Sequence, residues 1–257
     1  MHRLRVLRDR LPGEGAQAEH MRAEFRCEET ILTLVSDERS IRIGELAAME
    51  ARGWIEDKIR SDPFFGITYE PYPESDGDPE LIRRMCRASS LAGVGPMAGV
   101  AGAVAEYAAR KMAESGAEEA IVENGGDIAL YSPGKKVPIG IYADDSVFRD
   151  VAYLVDSDRM TGICSSSATI GPSVSLGSSD LCTVFSDDVI LADCCATALG
   201  NLVVSSETES LSSAAERIGS IEGVRGCVAV CGKKVAFYGD IPEMVPARFD
   251  AKRGLWQ

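Results

Sequence analysis

Histidine is almost missing from this chain. Of its 257 residues only His2 and His20 are histidines, so no position beyond 20 can supply an imidazole. A Ser–His–Asp or Cys–His arrangement therefore cannot be assembled from the body of the sequence, which removes several hydrolase classes. The eight cysteines form no C-x-x-C pair. Without clustered ligands, zinc is not expected. No apolar run reaches about 18 residues, so no membrane span is expected either. The basic stretch "MHRLRVLRDRLPGEG" is followed by no apolar core or small-residue cleavage site, so it does not read as a signal peptide. A cytoplasmic, reducing compartment is the expectation, with most cysteines acting as small buried hydrophobes. Positive charge is also in deficit: 27 Lys and Arg face 40 Asp and Glu, a net charge of −13. Such a surface repels phosphate backbones at long range, which argues against nucleic acid as a partner. It leaves room for a small anionic ligand, because backbone amides or a bound cation hold phosphates locally.

What is present is an ordinary globular balance, 45% hydrophobic and 26% charged. Alternating stretches, "HRLRVLR" and "MRAEFRCEETILTLVSD", predict strands with a turn near Glu28 and Glu29. "IGELAAMEARGWIEDKIRSD" has helical spacing. Residues 62–79 hold four prolines, two glycines and four aromatics and predict a long loop. A helix is expected from Glu80 to Ser89, then a longer one through "GVGPMAGVAGAVAEYAARKMAESG". The remainder predicts strands around "EEAIVENGGDIALYS", "KKVPIGIYAD", "DVAYLVD", "MTGICSSS" and "LCTVFSD". Helices at "ILADCCATALGNLV" and "ETESLSSAAERIGS" and the hairpin "GVRGCVAVCGKKVAFYGD" follow. In that hairpin a strand reading puts Cys227 and Cys231 on one face. The expected fold is α+β, one domain over residues 1–257, with mixed or antiparallel sheets packed against helices.

Four segments could carry chemistry. In "ILADCCATALGN" Asp193 and Thr197 are four apart and neighbours on a helix surface. Asp193 is either the cap that opens the helix or, with Thr197, a pair of oxygen ligands for a hard cation such as Mg²⁺. In "ENGGDI" the glycines Gly125 and Gly126 suit a tight turn. They would equally expose backbone to a ligand, with Glu123, Asn124 and Asp127 supplying polar groups. In "GVGPMAGVAGAVAE" the residues Gly95, Gly99 and Gly102 allow close approach, of a phosphate or of another helix. It is neither a Walker A sequence nor a dinucleotide fingerprint. "CSSSATIGPSVSLGSSD" is rich in hydroxyls and serves either as a phosphate-contacting loop or as plain surface. Cys194 is an unpromising nucleophile beside Asp193, and no catalytic residue is assigned.

Taken in order, these segments resemble the ApbE superfamily of magnesium-dependent flavin transferases, and more specifically its UPF0280 branch. "MAGVAGAVAEYA" resembles the family's glycine-rich helix, "NGGDI" its G-G-D-I motif, "CSSSATIGPS" its T-S-G segment, and "LADCCATALG" its A-D-A-L-A-T-A-L helix. "GPMA-x-VAGA-x-AE" and "ENGGDI" are shared with UPF0280. The resemblance implies Mg²⁺ held by Asp193 and Thr197, with a backbone carbonyl near Gly99 as third ligand. It implies FAD as substrate or ligand, nucleotide contacts at Gly95, Gly99, Asn124, Gly125, Gly126 and Asp127, and FMN transfer to a protein threonine with release of AMP. Two family features have no counterpart: the lysine of the glycine-rich helix is replaced by Gly102, and the H-I-x-D-P segment is missing. The alternatives are a non-catalytic flavin or phosphate-ligand module and a role in anaerobic sulfur or homocysteine metabolism. A homodimer is compatible with either.

Overall fold

A computed structural model of the chain describes residues 3–6, 21–142, 150–166, 178–247, 249–250 and 255–256. Most of the hydroxyl-rich segment, residues 167–177, lies outside the described residues.

The sheet sets the frame. β2 (Met21–Cys27) and β3 (Thr30–Ser36) form a hairpin turned at Glu28, where φ is 52°. β3 then pairs with β4 (Ala120–Asn124), and the order continues through β5 (Asp127–Tyr142), β6 (Val151–Ser166), β7 (Leu181–Ser186), β8 (Val224–Cys231) and β9 (Lys234–Gly239). β1 (Arg3–Val6) adds to β5 and β10 (Glu243–Pro246) to β6, giving a ten-stranded sheet whose described pairings are antiparallel. A two-stranded pair, β11 (Phe249–Asp250) with β12 (Leu255–Trp256), follows.

β5 and β6 each run for 16 residues, where the sequence predicts two shorter strands apiece. The register shifts between Leu130 and Lys136, around Pro133 and Gly134. Proline cannot donate to the ladder, and at a bulge it bends a strand without ending it. Beyond the bend, Val137, Ile139, Ile141, Tyr153 and Val155 pack with Ile128, Leu130, Ile163, Phe185, Val228 and Val230. The far halves of β5 and β6 thus cover one face of the main sheet.

The helices cover the other face. Side chains alternate between faces at period two. Ala120 and Val122, and Cys227, Ala229 and Cys231, point to the helices, while Ile121, Val228 and Val230 point away. Cys227 and Cys231 do share a face. α1 (Glu38–Ser61) starts five residues before its apolar pattern suggests, because the Asp37 side chain accepts the Ser40 N–H at 3.0 Å. Its buried stripe, Ile41, Gly44, Ala47, Ala48, Ala51 and Ile55, has helical spacing.

The expected loop 62–79 opens with a short helix, α2 (Pro63–Ile67), with proline at its first position. The segment is tethered: Lys58 pairs with Asp78 at 2.8 Å, and the Tyr72 hydroxyl donates to Asp62. α3 (Glu80–Ala92) ends on Gly93 at φ 72°. The glycine-rich stretch is therefore two elements, not one: a 3-10 turn Pro96–Gly99, then α4 (Val100–Glu114). α5 (Val189–Leu202) is buried at eleven of its fourteen positions and is the central helix; α6 (Thr208–Gly219) flanks it. No single helix among the described residues is long and apolar enough to cross a membrane.

Candidate functional site

The first turns of α4 meet the first turns of α5, and glycines make this contact. A Cβ on Gly99 would lie 2.7 Å from Cys194 Sγ and 2.9 Å from Ile190 Cγ2; one on Gly102 would lie 2.7 Å from the Val189 carbonyl oxygen and 2.9 Å from Asp193 Cβ. Gly95 faces the chain after α2, where a Cβ would lie 1.9 Å from the Thr68 carbonyl oxygen. These three glycines are steric requirements of backbone packing.

Asp193 does not open its own helix. Asp188 is the cap of α5, its side chain accepting the Leu191 N–H at 3.0 Å. Asp193 sits in the second turn, 7% exposed, and its Oδ2 accepts the Gly102 N–H at 2.8 Å. Gly99, the cap residue of α4, has no side chain to satisfy the first N–H groups of that helix. Asp193 does so from across the interface. The cap reading was right about the bond and wrong about the helix.

Asp127 completes a second side. The Gly125–Gly126 pair forms a two-residue hairpin, φ 68° and 123°, joining Asn124 to its partner Asp127. The turn and an open backbone coexist, since a Cβ at either glycine would meet nothing within 4 Å. Asn124 Nδ2 donates to the Ala101 carbonyl at 3.1 Å, tying the hairpin to α4. Asp127 Oδ1 accepts the Ser165 N–H at 3.3 Å.

Asp193 feels the charge of Asp127. Burial, then the charge of Asp127, holds the Asp193 carboxyl well above the usual range, while the Gly102 and Ala101 N–H groups pull the other way. Burial pushes Asp127 up to about 7 against the Ser165 N–H and the Cys164 thiol. The residue as a whole is half-buried. Cys164, raised by burial and then by both carboxylates, stays a neutral thiol, its Sγ 3.6 Å from the Val189 carbonyl.

Thr197 lies one turn beyond Asp193 on α5, half-buried. The structure thus gathers Asp193, Asp127, Asn124 and the α4 N-terminus, with Gly99 against α5 and Gly95 further off beside Thr68. Its oxygen-rich donor set fits a hard cation. Among the described residues no group of three or more His, Cys, Asp or Glu is placed to hold a metal ion, so a cation here would depend on hydroxyl and backbone oxygens as well as the carboxylates. A shallow depression of about 520 Å³, lined by Asp37, Glu38, Arg39, Arg42, Ile43 and Leu46, lies at the start of α1 and includes none of these residues.

Sequence reading includes Cys164 and Ser165 only as part of a hydroxyl-rich segment, and it misses Asp188 and Glu106. Asp188 had a signal, a carboxylate three residues before Leu191 at the start of an apolar run. Cys164 and Ser165 reach the site only through β-sheet pairing.

Comparison with known proteins agrees with this architecture. Residues 14–220 match a family model described as "AbpE bacteria". A UPF0280 protein of Methanocella arvoryzae is 43% identical over 90% of this chain and 94% of its own length. One of Archaeoglobus fulgidus is 41% identical over 87% and 94%. Among solved structures, the Pseudomonas stutzeri flavinyl transferase ApbE in its apo form superposes with a TM-score of 0.56 at 13% identity, covering 88% of this chain and 97% of that one. The flavin transferase ApbE from Vibrio cholerae gives 0.54 at 12% identity, covering 86% and 97%. At such identity these two establish a shared α+β fold. The chain belongs to the UPF0280 proteins, within the family described as AbpE bacteria.

Proposed function

We propose that the chain binds a flavin dinucleotide, or a similar phosphorylated nucleotide, at a divalent-cation site centred on Asp193. The observation that carries this reading is the buried Asp193 carboxylate seated on the N-terminus of α4, with the charge of Asp127 close enough to act on it. Two neighbouring carboxylates, both raised by burial and one also by the other's charge, are costly as anions, and a cation is one way to offset that cost. The remaining ligands we assign to the Thr197 hydroxyl and a backbone carbonyl near Gly99. Bound Mg²⁺ would offset pyrophosphate charge and polarise it. Asn124 holds the Gly125–Gly126 backbone against α4 and Asp127 holds it against β6, and the open backbone of that turn is the surface we assign to the nucleotide, while Gly95 and Gly99 are taken up by packing around it.

The reaction class this supports is cleavage of the FAD pyrophosphate, with a hydroxyl oxygen bonding to the FMN phosphorus as the bond to AMP breaks. A protein threonine is the acceptor that the resemblance implies. Sulfur transfer is less favoured, because burial raises the thiols of Cys86, Cys164, Cys182, Cys194, Cys195, Cys227 and Cys231.

The test is titration of the purified protein with FAD, with and without Mg²⁺, followed by flavin fluorescence and analysis for FMN and AMP. Magnesium-dependent binding with AMP formation is the expected result. Binding without AMP would reduce the protein to a flavin module, and no binding would refute the flavin reading.

A further inference from the structure

Glu106 is fully buried on α4, with 0% of its surface exposed. Its Oε2 accepts the Val189 N–H, the first of α5, at 3.0 Å. Its Oε1 takes Arg84 of α3 at 2.8 Å and Arg110, one turn along α4, at 2.6 Å. Arg84 also reaches Asp188, the α5 cap, at 2.9 Å. Both oxygens of this carboxylate are thus committed, Oε2 to α5 directly and Oε1 to Arg110 of its own helix and to Arg84, which reaches the α5 cap.

The Glu106–Val189 bond has a counterpart. One turn back along α4 is Gly102, and one turn on along α5 is Asp193, joined at 2.8 Å. The two helices cap each other: Asp193 of α5 satisfies the N-terminus of α4, and Glu106 of α4 satisfies that of α5. The rungs are one helical turn apart, about 5–6 Å. Between them Gly102 packs on the Val189 carbonyl with no space for a methyl group.

We infer that Glu106 is a positioning residue for the cation site, acting through Asp193 by fixing the register of α5 on α4. The inference rests on the reading of Asp193 as a cation ligand. It turns on reach more than on charge, because what sets the register is the bond to the Val189 N–H. Two variants separate these properties. Glu106→Asp keeps the charge but shortens the side chain by one methylene. Glu106→Gln keeps the length and an acceptor oxygen but removes the charge.

The experiment measures Mn²⁺ affinity of the full chain by electron paramagnetic resonance, well below each protein's melting temperature. Residues that orient a metal ligand cost about 10–100-fold in affinity when changed. Glu106→Asp is expected to weaken Mn²⁺ binding about tenfold or more, and Glu106→Gln to stay within about threefold of wild type. The reverse ranking overturns the inference, as does equal Mn²⁺ affinity in all three proteins. Hydrogen exchange of the Gly102 amide supplies a readout without metal: it should accelerate about tenfold in Glu106→Asp relative to amides of α1. If wild type binds no Mn²⁺, the cation reading has failed. The exchange result alone then decides whether Glu106 sets the register at Asp193, and an unchanged Gly102 amide refutes it.

Discussion

Asp193 and Gly102 are 91 residues apart in the chain and 2.8 Å apart in the fold, the carboxylate of one helix accepting the first free N–H groups of another. This bond explains why a helix built for burial keeps a charge. A helix N-terminus carries partial positive charge and favours a carboxylate beside it. Yet the nearby charge of Asp127 and the surrounding apolar packing push the other way, and the net result is a raised pKa. A site that is short of positive charge and rich in oxygen follows.

Substitution of Asp193 by Asn separates capping from cation binding. The amide oxygen still accepts the Gly102 N–H, so the metal-free protein should keep wild-type stability or gain some, since a strained charge is gone. Mg²⁺ at a hundred times its dissociation constant should stabilise wild type by about 2.7 kcal/mol and leave the variant unchanged. Urea denaturation with and without Mg²⁺ reads this directly. An equal Mg²⁺ effect in both proteins would assign Asp193 to capping alone.

The pH dependence has a definite sign. Asp127 rises from 3.8 to about 7 on folding. Between those values the folded chain holds more protons than the unfolded one, so metal-free stability falls as pH rises from about 4 to about 7. Asp193 shifts in the same direction. A cation must displace these protons, so Mg²⁺ affinity should tighten with pH across the upper part of that window. Calorimetry in two buffers of different ionisation enthalpy would show proton release at pH 6; its absence would detach Asp127 from the cation site.

Gly102→Ala should be costly despite a favourable helix propensity. Its methyl would lie 2.7 Å from the Val189 carbonyl oxygen and 2.9 Å from Asp193 Cβ. Overpacking of this kind costs about 1–3 kcal/mol. Because the clash lies between the rungs, cation affinity should fall with stability. The control, Gly53→Ala on α1, meets nothing within 4 Å and should be neutral or stabilising.

Thiol labelling tests the reading of the cysteines. Seven are buried and Cys27 is half-buried. Under native conditions one of the eight should react quickly with a disulfide reagent, and Cys27→Ser should remove that fast phase. A second fast thiol would reopen the question of sulfur chemistry.

The sequence showed the parts of this site better than their assembly. "NGG" between apolar runs named a turn correctly because two consecutive positive-φ positions demand glycine. The small-residue runs in α4 and α5 named close packing, though not that they pack on each other. The break at Gly95 to Gly99 was invisible, since small apolar residues suit a 3-10 turn and a helix equally. β5 and β6 were divided at Pro133 and around Asp156, where register shifts bend the ladder without ending it. Glu106 read as one more charge on an alanine-rich helix. Its partners Arg84 and Val189 lie 22 and 83 residues away, and no local pattern carries that distance.

The pairing of β3 with β4 also governs how the chain must come together. The Ser36 hydroxyl donates to the Glu119 carbonyl, 83 residues later, and the four helices α1 to α4 lie between. The β2–β3 and β8–β9 hairpins close locally, but the central sheet waits for that long loop to shut, and closure entropy grows with loop length. Non-local pairing of this kind sets a slow folding rate. Asn124, at the end of β4, reaches Ala101 only after closure. Ligand binding should therefore return late in refolding, after most helical signal has already recovered.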